Sequence, residues 1–399
     1  MIKNLSVKAF KSLETAELEL GLINVFIGAN GSGKSNLLEA VGILGAAASG
    51  RVDDAAFLRR GVRPGVPSLY KSSFKGIRQP SAIRFEATTN DGAEFAVSLF
   101  NPMQEPEPAW RFKTEKLAVN GATLVGRGPN QKIRLDPMNG LTALKAVEFE
   151  EGSPAAALID TLRDYAIFTP DTPTLRGLEM DNQNRSPVGL SGGGLAEAVR
   201  DLFSPLKDKG QLFDQWEDVY SEVIELIGWA NKLGASSPSR VPISRTISQP
   251  TTVLRFTDKY MADGRNRLSG YDASEGALYV LFMTVLAHHK LSPKLLSVDN
   301  FDHALNPRLA KALTSKLCEW TIARNERQMM LTSHNPLVLD GLPLRDNKVR
   351  LFTVERSAKG KTVIKRVTVS EELLKQADRG IPLSQQWVMG TFGGVPRNI

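Results

Sequence analysis

Apolar and polar positions alternate through the first twenty residues, with Ile2, Leu5 and Val7, then Ala16, Leu18 and Leu20, on the apolar side. That period of two is the mark of half-buried strands. The next run, Leu22-Ile23-Asn24-Val25-Phe26-Ile27, is almost wholly apolar and predicts a short strand covered on both faces. A glycine-rich turn follows, and Leu37, Leu38, Val41 and Leu44 then recur at helical spacing. Residues 50–80, rich in Gly, Pro and Arg, read as irregular. Alternating runs at 82–88 and 94–100 flank Asn90-Asp91-Gly92, a hairpin signal, and short strands are predicted at 110–119 and 123–125 around Asn120-Gly121. This region reads as a mostly antiparallel lobe. From Pro154 the period turns helical until about 167, and a proline-rich segment follows at 169–173. Helices are predicted at 195–203 and 212–233, and an exposed Ser/Pro-rich loop at 234–250. A strand at 252–256, an apolar helix at 277–288, a strand at 295–298, a helix at 307–323 and a strand at 328–332 then alternate. Such alternation produces a parallel α/β sheet. The expected organisation has three parts: an N-terminal lobe over 1–150 with an antiparallel β subdomain, a helical insertion over 151–250, and a C-terminal lobe over 251–399. No internal repeat or long heptad run is present.

Composition narrows the class. The 399 residues are 42% hydrophobic, the level of a globular chain, and no apolar run approaches the roughly 20 residues that span a bilayer. The N-terminus has no apolar signal core, so the expected location is cytoplasmic. A single cysteine, Cys318, excludes an internal disulfide framework and a cysteine-based zinc site. It falls in a helical pattern with Leu313, Leu317 and Trp320 and reads as a buried structural thiol. The balance of 50 basic and 43 acidic residues, net +7, permits nucleic-acid contact without establishing it. Part of the excess falls at Arg59, Arg60, Arg63, Lys71, Lys75, Arg78 and Arg84, with no aromatic interleaving for base stacking.

The candidate chemistry begins in the glycine-rich turn. Gly28-Ala29-Asn30-Gly31-Ser32-Gly33-Lys34-Ser35 fits G-x-x-x-x-G-K-[ST], and it sits between a predicted buried strand and a predicted helix. Glycines let backbone N–H groups turn inward around phosphates, and the helix that opens here adds its positive end. Lys34 is suited to neutralise phosphate oxygens and the Ser35 hydroxyl to ligate Mg2+. A second metal anchor is expected at the end of a neighbouring strand, and Leu295-Leu296-Ser297-Val298-Asp299 supplies one in Asp299.

With Phe10-Lys11-Ser12 at the start, and Asn36-Leu37-Leu38-Glu39-Ala40 continuing the phosphate loop, the chain resembles the SMC/RecF-like ABC ATPases. The likeness is greatest to the stand-alone ATPases of that group and to the ATPase half of OLD-family proteins. Leu331-Thr332-Ser333-His334-Asn335-Pro336 and, near the C-terminus, Leu383-Ser384, Gly390 and Gly393-Gly394-Val395-Pro396 also fit. The resemblance covers both ends of the chain and little of its middle. It implies an ABC-type P-loop ATPase head that binds ATP and Mg2+ between two protomers arranged head to tail. Ser274 and Gly276, in Ala273-Ser274-Glu275-Gly276, would form the signature motif facing the other subunit's nucleotide. Ala304-Leu305-Asn306-Pro307 would cross the interface, and His334 would be the switch histidine. Two other strings compete for the signature role. Leu190-Ser191-Gly192-Gly193-Gly194 has the better spelling but lies more than 100 residues before Asp299. Leu268-Ser269-Gly270-Tyr271 opens the following helix less cleanly. We favour Ser274.

One departure bears on activity. The group places Glu after the aspartate as the general base, whereas this chain has Asn300. An amide orients water but cannot take its proton, so slow hydrolysis and a long-lived ATP-bound dimer are expected. Asp302 and His303 are nearby in sequence; neither Gln79 nor Gln131 stands out as the glutamine that such ATPases place near the metal. The resemblance implies that the ATPase controls a separately encoded effector, a nuclease or toxin of anti-phage defence, because the residues after His334 lack the carboxylate cluster of a TOPRIM nuclease domain. A RecF-like DNA-repair ATPase is the alternative, and a transporter subunit fits least.

Overall fold

The computed structural model describes residues 1–128, 135–141, 150, 152–203, 212–244, 251–368 and 370–393. Strands β1 (Ile2–Phe10) and β2 (Leu13–Glu19) form an antiparallel pair. Both Ile2 and Leu5 are buried despite their odd spacing, because the ladder to the neighbouring strand shifts register between Ile2 and Asn4. A bulge of this kind turns successive side chains back to the same face. Strand β3 (Ile23–Ile27) is buried at every position, as its unbroken apolar run predicts, and leads through the glycine-rich loop into α1 (Lys34–Ala48). The irregular reading of residues 50–80 needs correction only for two short helices, α2 (Asp54–Leu58) and α3 (Pro67–Tyr70). The meander β4 (Ile83–Thr89), β5 (Ala93–Phe100), β6 (Arg111–Val119) and β7 (Ala122–Arg127) completes a six-stranded sheet in the order β2-β1-β4-β5-β6-β7.

The middle of the chain departs from a helical insertion. Helix α4 (Pro154–Asp164) stops before the expected end, and β8 (Ala166–Phe168) follows it into the main sheet. After α5 (Thr172–Arg176), α6 (Leu195–Phe203) and α7 (Leu212–Ile227), the chain turns at Gly228, which has φ +76°. The residues expected to prolong that last helix form β9 (Ala230–Ser236) instead. The three apolar residues of β8 and the mixed residues of β9 are too short to carry a period that separates the two states, which is why both strands are hidden in the sequence. Strand β9 pairs with β10 (Val253–Asp258), which pairs with β11 (Arg267–Ser269).

The C-terminal part alternates as expected: α8 (Glu275–His288), β12 (Leu295–Val298), α9 (Pro307–Arg324) and β13 (Gln328–Ser333). Strands β14 (Val349–Arg356) and β15 (Thr362–Arg366) and helices α10 (Glu371–Asp378) and α11 (Leu383–Val388) follow. The second six-stranded sheet runs β15-β14-β3-β13-β12-β8, parallel except for β15. Its central strand divides two cores. Phe26 packs on the α1 side with the antiparallel lobe, while Ile23, Val25 and Ile27 face α6, α8 and α9. Helix α8 is apolar all round and buried from Ala277 to His288, so it forms the middle of the second core rather than its surface. Cys318 is buried in that core, and burial pushes its thiol up to about 12, which fits a structural role. Gly394, Val395, Pro396 and Gln131 lie outside the described residues. Among the described residues no helix is long and apolar enough to cross a membrane.

Candidate functional site

Parallel strands end at one edge of their sheet, and ligands in open α/β folds bind outside those carboxyl ends. Here β3, β13 and β12 are neighbours, so the residues that follow β3 meet those that follow β12 and β13, 264 to 300 positions away in sequence. Strand β3 delivers the phosphate loop, β13 delivers Thr332 and His334, and β12 delivers Asp299.

The loop is held tightly. Gly33 takes φ +110° as the residue before α1, and a Cβ there would lie 2.2 Å from Thr362 Oγ1. A Cβ on Gly28 would lie 2.1 Å from the Val354 carbonyl oxygen. Both positions therefore require glycine for space, and Gly33 also for its backbone angle. Thr362, at the start of β15, donates to the Ser32 carbonyl and bonds the Ser12 hydroxyl, each at 2.7 Å. Asn36 Nδ2 donates to Ser12 Oγ at 2.7 Å. These contacts give Ser12 and Asn36 a physical role in bracing the loop. Thr362 is not visible as part of the site in sequence, because it lies in a strand with no motif. Thr362→Val keeps the shape and removes the hydroxyl, leaving a buried carbonyl short of a partner. We expect a stability loss of about 1–3 kcal/mol in urea unfolding. Unchanged unfolding would show that the loop does not depend on this brace.

Lys34 is buried and its ammonium donates to the carbonyls of Gly28 at 2.8 Å and Ala29 at 3.1 Å. It lies 3.4 Å from His334 Nδ1. Burial holds it down to about 8, against the opposing pull of Asp299 and Asp302. The His334 imidazole is lowered by partial burial and by the Lys34 charge. Ser35 Oγ donates to Asp299 Oδ2 at 2.8 Å, and the Thr332 hydroxyl donates to Asp299 Oδ1. Thr332 Oγ1 also accepts the Asn300 N–H at 2.8 Å, and Asp299 N–H donates to the Phe168 carbonyl at 2.9 Å. Thr332 thus fixes Asp299 from the side, a role the motif reading missed.

The Ser35 and Asp299 oxygens stand about as far apart as two adjacent ligands on one Mg2+, which at 2.0–2.1 Å bonds lie about 2.9 Å from each other. Ser32 Oγ, inside the loop, is buried with no hydrogen-bond partner among the described residues. The lysine, the paired oxygens and this orphaned hydroxyl suit a phosphate chain with its metal. The strand beside Asp299 on the other side, β8, ends at Phe168 and is followed by Thr169 and Pro170, so it offers no glutamine there.

Ser274 and Gly276 are not brought to the phosphate loop. Ser274 caps α8 and accepts the Trp229 indole N–H at 3.1 Å. Both line an open cleft of about 960 Å3 together with Trp229, Ala304 and Asn306. Ala304 and Asn306 of the 304–307 loop therefore lie beside Ser274 and Gly276. The competing string behaves differently. The N–H groups of Ser191 and Gly193 donate to Asp181 Oδ2 at 2.8 and 3.1 Å, so its donors already hold an internal carboxylate. Ser269 is likewise engaged with Asp272, at 2.6 Å.

Comparison with known proteins adds family and fold likenesses. Residues 1–78 match the family described as "AAA ATPase domain", and residues 193–340 match "AAA domain, putative AbiEii toxin, Type IV TA system". The DNA replication and repair protein RecF of Renibacterium salmoninarum is 30% identical over 135 residues, 33% of this chain and 33% of that protein. RecF of Magnetococcus marinus is 44% identical over 64 residues, 16% of this chain and 17% of that protein. The matched region thus spans a third or less of these relatives' length. In fold, the chain is similar to an SMC head solved bound to the C-winged helix domain of ScpA. The TM-score is 0.54 at 13% identity, over 94% of this chain and 99% of that one. The molecule has the SMC-head-like α/β fold of a P-loop NTPase head. In sequence it is similar to AAA ATPase domains and to part of RecF.

Proposed function

We propose that the chain binds ATP with Mg2+ at the Gly28–Ser35 loop and acts as a nucleotide-gated clamp on a partner. The observation that carries this is the meeting of Lys34, Ser35, Asp299 and His334 at three adjacent strand ends. Gly28, Ala29, Asn30, Gly31, Ser32 and Gly33 would surround the phosphates, with Asn36 bracing the loop. Ser35 and Asp299 would hold the metal, which supplies charge neutralisation at the phosphates. Ser274 and Gly276 open onto their own cleft, away from the phosphate loop, which supports a second copy of the chain completing the site. Size-exclusion chromatography with light scattering tests this reading. ATP is expected to convert monomer to dimer, and Ser274→Arg to block that conversion while leaving ATP binding intact. A dimer formed equally well by Ser274→Arg would remove the two-protomer arrangement.

Hydrolysis is proposed to be slow. Asn300 carries an amide where a carboxylate is expected, and it adopts φ +53°. His303 is turned toward α8, with Nδ1 3.1 Å from the Tyr279 hydroxyl. Asp302 is the carboxylate left for the attacking water. Its Oδ1 is buried with no hydrogen-bond partner among the described residues, and its charge acts on both Lys34 and His334.

The partner is proposed to be a separately encoded effector, a nuclease or toxin in anti-phage defence, docking on residues 151–250. The toxin–antitoxin description of the family matched at 193–340 supports this. A second reading, a DNA-binding repair ATPase, is supported by the RecF relatives. Affinity capture with the wild-type chain and Lys34→Ala, followed by mass spectrometry and nucleic-acid analysis, separates them. An ATP-dependent protein partner favours the first; duplex DNA lost steeply with salt favours the second.

A further inference from the structure

The basic stretch between Arg59 and Arg84 does not form one surface. Arg63 pairs with Glu39 at 2.6 Å, and the Lys71 ammonium is buried on the Asn101 carbonyl at 2.6 Å. Arg59 and Arg60 instead meet arginines from three other segments. These are Arg51 just past α1, Arg163 in the last turn of α4, and Arg185 in the loop before α6. The five side chains line a cavity of about 250 Å3. That is room for roughly eight waters at their liquid volume, or for a phosphate group.

Helix capping explains part of this gathering. Arg60 donates to the Ala56 and Arg163 carbonyls at 3.0 and 2.9 Å and to the Ser49 hydroxyl. Arg163 Nε donates to the Ala48 carbonyl at 2.9 Å, and Arg59 Nε to the Ala55 carbonyl at 3.2 Å. Cations are favoured at helix C-termini, and α1, α2 and α4 all end here. Capping does not balance the charge. Asp53 pairs with Arg51, Asp160 with Arg163, and Asp164 with Arg185, which leaves Arg59 and Arg60 without an ion pair among the described residues. Arg60 is 6% exposed, and burial together with the Arg185 and Arg59 charges holds its guanidinium down to about 10. The Nε atoms of Arg60 and Arg185 are buried with no hydrogen-bond partner among the described residues. Like charges kept together at such cost are relieved by an anion.

We propose that this cavity is an anion site that takes a phosphate group, from a free polyphosphate or from a nucleic-acid backbone. It is separate from the phosphate loop. The loop sits at the N-terminus of α1 and the cavity at its C-terminus, 15 residues away, about 22 Å along the helix.

The test is calorimetric titration of pyrophosphate into Lys34→Ala protein, with and without Arg59→Ser or Arg51→Ser. These two arginines are exposed, so their loss leaves the fold in place, which circular dichroism verifies. The proposal expects saturable binding that weakens about tenfold with each lost guanidinium. It is overturned if pyrophosphate does not bind, or binds equally in parent and variants. A short DNA duplex in competition identifies the source. Displacement of duplex by pyrophosphate assigns a nucleic-acid backbone; pyrophosphate binding without duplex binding assigns a free polyphosphate.

Discussion

Lys34→Met is expected to weaken ATP binding by roughly 100-fold or more while the empty protein melts no lower than its parent. Loss of one partner from a desolvated charge pair costs about 2–5 kcal/mol in affinity, and the Lys34 ammonium is the buried cation closest to where the phosphates would sit. Without nucleotide the same charge is a burden. It is held by the loop's own carbonyls, at 2.8 and 3.1 Å, in a site whose burial lowers its proton affinity to about 8 from 10.5. Methionine keeps the length of the chain and removes the charge. The sign of the pH dependence follows. Between about pH 8 and 10.5 the unfolded chain keeps this proton and the folded chain sheds it. The unfolded state then binds more protons, so stability rises with pH across that window, and below it this residue contributes no slope. Urea unfolding at pH 7.5 and 9.5 should show the parent gaining about 1–2 kcal/mol relative to Lys34→Met. Parent-like ATP affinity in the variant would remove Lys34 from the phosphate site. An equal pH response in both proteins would show that its ammonium is not strained when the site is empty.

The phosphate loop, Asp299 and His334 were legible because each follows a strand whose apolar run marks it, and because their chemistry is written in contiguous residues. What holds them was not. Thr332 braces Asp299 and Thr362 braces Ser32 through single hydroxyls, and nothing local distinguishes these threonines from others in strands. Strands β8 and β9 read as helix or loop because three apolar residues in one and seven of mixed polarity in the other carry no decisive period. The better-spelled glycine string at 190–194 shows the opposite hazard. Its backbone donors exist as the spelling suggests, but they close on Asp181 from the same chain. The arginine cavity was invisible for a further reason. Its five members come from four separate segments, and only the fold adds their charges together.

Asn300→Glu is expected to raise ATP turnover by about 100-fold, and Asp302→Asn to lower the parent's residual turnover by a comparable factor. A positioned base contributes about 10²–10⁴, and Asn300 leaves that contribution to a carboxylate three residues from Asp299. The backbone sets a cost on the first change. Asn300 sits at φ +53°, where asparagine is tolerated and glutamate is disfavoured by about 1–2 kcal/mol, so the variant should be less stable even as it turns over faster. The pair is more informative than either alone. If Asp302 is the base, its removal matters in the parent and ceases to matter once the introduced glutamate performs the task, so the double variant should hydrolyse ATP as fast as Asn300→Glu. Steady-state phosphate release under saturating ATP measures all four proteins. Nucleotide binding measured in parallel separates a lost base from a lost site. If Asp302→Asn lowers turnover equally in both backgrounds, Asp302 acts by positioning Lys34 and His334, whose charges it already influences. If it has no effect in the parent, the proton leaves by another route and Asp302 has no part in the chemical step.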